Sequence, residues 1–253
     1  MHIIYFMKRK LFWKILIYFI IYSIAGFFIE TIYAIFTKGM LESRQSFLYG
    51  PFCIVYGIAA IVLILCLKKY KGNNIKLFFY GMVLGCGVEY VSSYLSEIFM
   101  HIKWWDYSND FLNINGRTCL YYAILWGSLT IVLINYINPY IDRCIDKIFN
   151  KISHIFLKAM ITFITLFMTV DGIITCYALD NFLVRVSNEY NITINGIDEE
   201  KRINTAVEKV FSNEKMMMTY PNIIVVNDKN EVVYLESILT DVKNYYYKFG
   251  FIE

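Results

Sequence analysis

The chain has 253 residues, of which 58% are hydrophobic and 18% aromatic, with a mean hydropathy of +0.47 and a formal net charge of +3. That much apolar side chain exceeds what a soluble domain of this length needs to fill a core. It excludes an ordinary soluble globular protein and makes the lipid bilayer the expected solvent.

In chain order, the first apolar segment is residues 11–36, broken only by Lys14 and Glu30. It follows the basic stretch Lys8-Arg9-Lys10, but it is too long for a signal peptide and has no small-residue cleavage pattern before Glu30, so it reads as a retained anchor. Residues 45–67 carry no charged side chain, and Gly50-Pro51 can kink or start a helix there, because proline lacks an N–H and restricts the residue before it. Residues 77–100 contain only Glu89 and Glu97, residues 118–141 no charge at all, and residues 159–179 only Asp171. A hydrocarbon core of about 30 Å needs roughly 20 apolar residues in a helix. The expected fold class is therefore an all-α polytopic membrane protein with about five transmembrane helices, over residues 11–36, 47–67, 77–100, 118–141 and 159–179.

Cytoplasmic loops hold an excess of lysine and arginine. With the N-terminus inside, ten basic residues (Lys8, Arg9, Lys10, Lys68, Lys69, Lys71, Lys76, Arg143, Lys147, Lys151) fall on the cytoplasmic side against four outside (Lys38, Arg44, Lys103, Arg117). That predicts a multi-pass protein of the cell membrane with a cytoplasmic N-terminus and an extracellular C-terminal tail. The six cysteines lie in or beside the spans with no Cys-x-x-Cys pair, and the three histidines are scattered. Neither a redox pair nor a metal site is expected, and cysteine reads as a small packing residue.

After Leu179 the composition changes, and residues 180–253 hold 12 acidic and 8 basic side chains, a net charge of −4 beside +7 for the membrane part. A small α+β module is expected there. It comprises a helix over residues 204–214, a hairpin of residues 223–226 and 231–235 around Asn227-Asp228-Lys229-Asn230, and a closing helix over residues 237–248.

Polar and small residues recur at helical spacing within the spans, and such stripes face other helices and not lipid. They are Ser23, Gly26, Glu30 and Tyr33 in the first span; Tyr49, Cys53, Tyr56, Gly57 and Ala60 in the second; and Gly81, Gly85, Glu89, Ser92, Ser93 and Ser96 in the third. If they converge, they enclose a cavity with Glu30 and Glu89 as its acids; otherwise they form a packed bundle. An intramembrane carboxylate such as Glu89 is by default a functional candidate, against the alternative of a protonated or hydrogen-bonded packing residue. The Trp104-Trp105-Asp106-Tyr107 run sits between the third and fourth spans. Its aromatics read as anchors at the water boundary or as ligand stackers. Arg117 opens the fourth span, where the helix dipole disfavours a cation, so it needs an acid or a ligand anion; Asp106 is the preferred partner. Asp171, with Thr175 one turn on, is a weaker candidate.

The run Phe47-Leu48-Tyr49-Gly50-Pro51-Phe52-Cys53-Ile54-Val55-Tyr56-Gly57, the Glu89-Tyr90 pair, Trp104-Trp105-Asp106-Tyr107-Ser108, Asn113-Ile114-Asn115-Gly116-Arg117-Thr118-Cys119-Leu120 and Trp126-Gly127 together resemble the bacterial multi-span family named "putative ABC-transporter type IV", over about residues 15–140. Relatives often carry proline where this chain has Ile54, and Arg-Gly where it has Gln45-Ser46. The resemblance implies a permease component that works with a separate ATPase, since this chain has no P-loop of its own.

Three functions remain open at this point. The first is a transport component binding a small solute or a proton at an outer-half polar site of Glu30, Glu89, Asp106, Arg117, Trp104, Trp105 and Tyr107. The second is a membrane-embedded enzyme acting on a lipid or cell-wall intermediate, and the third a non-catalytic membrane partner or sensor. Expected partners are the lipid bilayer, a separate ATPase or other membrane subunit, and a second copy of the chain. No cofactor and no nucleic acid is expected.

Overall fold

The computed structural model describes residues 2–198, 200–201, 203–240, 242 and 247–248. Its elements in chain order are α1 (His2–Lys38), β1 (Met40–Leu41), α2 (Ile54–Leu67), α3 (Asn74–Met100), α4 (Leu120–Val132), α5 (Asn138–Lys151), α6 (His154–Tyr190), α7 (Thr205–Val210), α8 (Asn213–Thr219), β2 (Ile224–Val226), β3 (Val232–Tyr234), α9 (Leu235–Ile238) and β4 (Tyr247–Lys248). A π turn over Leu133–Ile137 joins α4 to α5, so the two continue as one helical stretch.

Among the described residues, four helical stretches are long and apolar enough to cross a membrane: Leu11–Lys38, Asn74–Met100, Leu120–Lys151 and His154–Tyr190. In the apolar window of each, only 22–28% of residues are buried, and Val83, Phe163 and Ile173 stand outward. Apolar surface of that extent marks contact with a membrane or with another protein. The remaining expected span corresponds to α2, which has 14 residues and so a length of about 21 Å, short of a hydrocarbon core of about 30 Å. The cause is local. Gly50 takes φ 80°, a left-handed conformation open to glycine, Pro51 follows it, and Cys53 extends its backbone before the helix begins. The Cys53 N–H, orphaned at the helix start, donates to the Ser23 carbonyl at 2.9 Å.

The chain forms two compact units, with boundaries inside α1, α3 and α6 and in the segments before α2 and before α4. The first holds Met1–Gly26, Phe52–Tyr90 and Ser108–Val170. Here small residues let helices approach closely. A Cβ on Gly26 would meet the Tyr56 side chain at 2.4 Å, and one on Gly85 would meet Trp126 at 2.4 Å. Tyr56 and Trp126 pack against each other with ring centroids 5.8 Å apart. Gly26 of α1 thus meets a ring of α2, Gly57 of α2 meets Ser23 and Phe19 of α1, and Gly85 of α3 meets a ring of α4.

Lys14, in the first apolar segment, is explained by α5. Lys14, Tyr18 and Tyr22 lie four residues apart on α1 and meet Asp146, Asp142 and Asn138, four apart in the reverse direction on α5. Lys14 Nζ donates to Asp142 at 3.1 Å and to Asp146 at 3.2 Å, Tyr18 donates to Asp142, and Tyr22 donates to Asn138 at 3.2 Å. Lys68 adds a third contact to Asp142 at 3.0 Å.

The second unit holds Phe27–Pro51, Val91–Tyr107 and Asp171–Glu253. Its core gathers Leu179, Phe182, Leu183 and Val186 of α6 with Ile102, Met216, Tyr220, Ile223, Leu235 and Leu239. The expected hairpin forms: β2 pairs antiparallel with β3, and Asn230 turns the chain with φ 61°. Three expectations are corrected in this unit. Helix α6 runs to Tyr190, beyond Leu179 where the composition changes, because Phe182, Leu183 and Val186 bury one of its faces in the module core. The single helix expected over residues 204–214 is two. Asn204 caps α7 and Ser212 caps α8, and the chain breaks at Phe211, whose carbonyl is taken by Arg185. The expected closing helix shrinks to α9, and Tyr247–Lys248 is a strand paired with Met40–Leu41; residues 241 and 243–246 of that expectation lie outside the described residues.

Candidate functional site

In the first unit, Glu89 of α3 is 5% exposed and accepts a hydrogen bond from the Thr118 hydroxyl at 2.8 Å. Thr118 stands just before α4, and its neighbour Arg117 is itself buried, its guanidinium over the Tyr90 ring at 5.7 Å. Tyr90 follows Glu89 on α3, and its hydroxyl accepts from the Asn115 amide at 2.9 Å. The loop that brings Arg117 and Thr118 here is a built turn. Asn115 and Gly116 take positive φ, Ile114 N–H donates to the Thr118 carbonyl at 2.9 Å, and Gly116 N–H donates to Asn113 at 3.1 Å. A carboxylate, a hydroxyl, a guanidinium and a phenol are thus gathered at the junction of α3 and α4. Such a set can bind a polar solute or hold a proton.

The second unit holds the other predicted residues. Asp106 accepts from the Lys103 ammonium at 3.4 Å, and both side chains are more than nine-tenths buried. Trp104 packs on the buried ring of Tyr220 with centroids 5.4 Å apart, and its carbonyl accepts from the Asn222 amide at 3.0 Å. The backbone of Lys103 pairs with Ile224 of β2 in both directions. Trp105 and Tyr107 stack on each other at 6.4 Å. The tryptophan loop is therefore laced onto the C-terminal module, a partnership that hydropathy does not reveal. Glu30 lies half-buried on α1 in this unit. Glu89 and Arg117 share the first unit; Glu30, Trp104, Trp105, Asp106 and Tyr107 belong to the second.

Asp171 and Thr175, weaker candidates in the sequence, hold backbone. Thr175 accepts from the Leu48 N–H at 3.0 Å and Asp171 from the Tyr49 N–H at 3.1 Å, while Gly172 leaves room for the Phe47 ring. The α1–α5 ladder was missed in the sequence. Its signal was present as two i, i+4 polar series, 14/18/22 and 138/142/146, one per helix.

The family described as "Putative ABC-transporter type IV" matches residues 17–176. The chain belongs to that family. The type IV match takes in Glu30, Glu89, Asp106 and Arg117 and ends at Cys176 within α6. With its four apolar helical stretches, this type IV family member is a membrane protein related to transporters. Neither a curated protein nor a solved structure matches the chain.

Proposed function

We propose that this protein is the membrane component of a transport system, binding a small polar solute or a proton with Glu89 and Arg117. The observation that carries the reading is the buried Glu89 carboxylate held by the Thr118 hydroxyl beside Arg117. A carboxylate in an apolar span costs about 2.5–3.5 kcal/mol on the mildest insertion scales, so it persists where it is paired, protonated or used. Glu30 and Asp106 are further acids of this function, and Trp104, Trp105 and Tyr107 further ligand contacts. Five spans are proposed, α2 crossing together with the non-helical segment before it, with the N-terminus cytoplasmic and the module of residues 180–253 outside. Energy would come from a separate ATPase subunit, in keeping with the family.

The test is Glu89→Gln, which keeps the shape and the acceptor for Thr118 while removing the charge. The variant is expected to express and fold as the parent does and to lose solute-dependent or proton-dependent flux in reconstituted vesicles or cells. A folded Glu89→Gln protein with parental flux removes Glu89 from the function.

A further inference from the structure

One end of the first unit carries a basic surface that the transport reading does not use. The Gly72 N–H donates to Asn135 Oδ1 at 2.9 Å, the Asn135 amide donates to Asn74 Oδ1 at 2.9 Å, and the Lys68 ammonium reaches Asp142 at 3.0 Å. These contacts tie the segment between α2 and α3 to the junction of α4 and α5. Lys69, Lys71 and Lys76 therefore share an end of the unit with Arg143, Lys147 and Lys151 of α5. All six are exposed, and among the described residues no carboxylate pairs with any of them. Asp142 and Asp146, the acids of α5, are turned to α1 and held by Lys14, with Tyr18 and Lys68 also on Asp142. Lys69 and Lys76 share the ring of Tyr70, at 5.0 and 5.6 Å from its centroid. Like charges gathered in this way repel one another, and an anion set among them relieves the cost.

The depth of these cations selects the anion. From Leu120 to Ile141 the continuous stretch of α4 and α5 carries no charge and rises about 33 Å, close to a hydrocarbon core of about 30 Å. Arg143 and Lys147 follow within about 9 Å, at the level of the lipid headgroups, and Lys151 comes one turn later. The three recur every four residues and form one stripe on the exposed side of α5. Tyr140 precedes them by a turn and is 64% exposed, and Ile148 lies among them, 42% exposed. Cations interleaved with bare apolar side chains on one helix suit the boundary between phosphates and acyl chains. An acidic protein surface would match the cations alone. We propose that this end of the unit binds anionic phospholipid, its phosphates on Arg143, Lys147 and Lys151 with Lys69, Lys71 and Lys76 beside them, and its glycerol and upper acyl chains against Tyr140 and Ile148.

The delipidated full chain in detergent is given phosphatidylglycerol or phosphatidylcholine, and bound lipid is counted by native mass spectrometry. Phosphatidylglycerol is expected to bind more tightly by roughly tenfold or more, since each basic residue near an anionic lipid surface contributes roughly fivefold. The triple variant Arg143→Gln, Lys147→Gln, Lys151→Gln changes exposed positions and is expected to weaken that binding by roughly tenfold or more while leaving the helical spectrum unchanged. Lys69→Gln, Lys71→Gln, Lys76→Gln should weaken it by roughly fivefold or more, and decides the matter if the α5 variant does not fold. Lys209→Gln, Lys215→Gln, Lys229→Gln removes the same charge from exposed positions of the C-terminal module and should bind as the parent does. The proposal is overturned if the two lipids bind alike, which would leave the cations to an acidic protein surface, or if a folded α5 variant binds like the parent. It is equally overturned if the module variant loses as much as the α5 variant. Displacement of the lipid by glycerol phosphate at about 1 mM would also overturn it, marking a phosphate site that has no need of acyl chains.

Discussion

The Asp171 carboxylate accepts a hydrogen bond from the backbone N–H of Tyr49 at 3.1 Å, and one turn further along α6 the Thr175 hydroxyl accepts from Leu48 at 3.0 Å. Both α6 side chains are buried, and the segment they hold is not helical. In an apolar surrounding, backbone donors outside a helix or sheet must find partners within the protein, and here side chains supply them. An acid in an apolar helix, by default a functional suspect, thus serves as a backbone cap.

Asp171→Ala is accordingly expected to lower the unfolding free energy by about 1.5–3 kcal/mol, the range for losing a hydrogen bond to a charged group, here the part-buried bond from the Tyr49 N–H. Asp171→Asn keeps an acceptor oxygen and should lose less. Thermal unfolding of the purified protein in detergent measures both, and equal losses for the two variants would show that the Tyr49 contact is not what matters.

The α1–α5 ladder gives a second expectation. The Lys14 and Asp142 side chains are 16% and 18% exposed, so their ion pair is largely shielded from water. Lys14→Met and Asp142→Asn should each destabilise by about 1–3 kcal/mol, because each removes a charge-assisted contact, while Lys68 and Tyr18 still hold Asp142 in the first and Asp146 still holds Lys14 in the second. Since the two touch, the double variant should lose less than the sum, by at least about 0.5 kcal/mol in a double-mutant cycle. Additive losses would deny the coupling.

Tyr220 anchors the tryptophan loop to the C-terminal module, and Tyr220→Ala is expected to cost about 3–5 kcal/mol, the range for removing a large buried ring. Burial also pushes the Tyr220 phenol up from its ordinary value of 10.0. The sign follows directly: above the unfolded value the unfolded chain releases this proton while the folded protein keeps it, so stability is full below that value and falls as pH rises through it. Tyr220→Phe should flatten this alkaline decline between about pH 9 and 11, where free tyrosine titrates. A decline of the same steepness in Tyr220→Phe assigns it to other groups.

The five-span arrangement has its own test. A C-terminal reporter active only outside the cytoplasm should be active, and a cytoplasm-only reporter silent. The opposite pattern would mean that an even number of spans crosses the bilayer, as with four helices and a non-crossing α2.

Much of the membrane part is legible in the amino-acid sequence by itself. The charge-free or nearly charge-free runs place four long helical stretches, since the bilayer demands about 20 apolar residues whatever they pack against. Helical spacing marks Gly81 and Gly85 as contact residues, because a small-residue stripe points at another helix, and Asn227-Asp228-Lys229-Asn230 marks a hairpin by local turn chemistry. Glu89 and Arg117 stand out because charge in apolar surroundings is costly wherever it occurs.

Tertiary structure decides which partners those charges find. The hydroxyl on Glu89 comes from Thr118, 29 residues away; the acids on Lys14 come from α5, 128 and 132 residues away; and the ring beneath Trp104 comes from Tyr220 of the C-terminal module. Composition and periodicity report how each segment meets its solvent, a property of a few turns of chain. They are blind to contacts between segments far apart in sequence, and those contacts divide a buried acid that caps backbone, as Asp171 does, from one held by a side-chain hydroxyl, as Glu89 is.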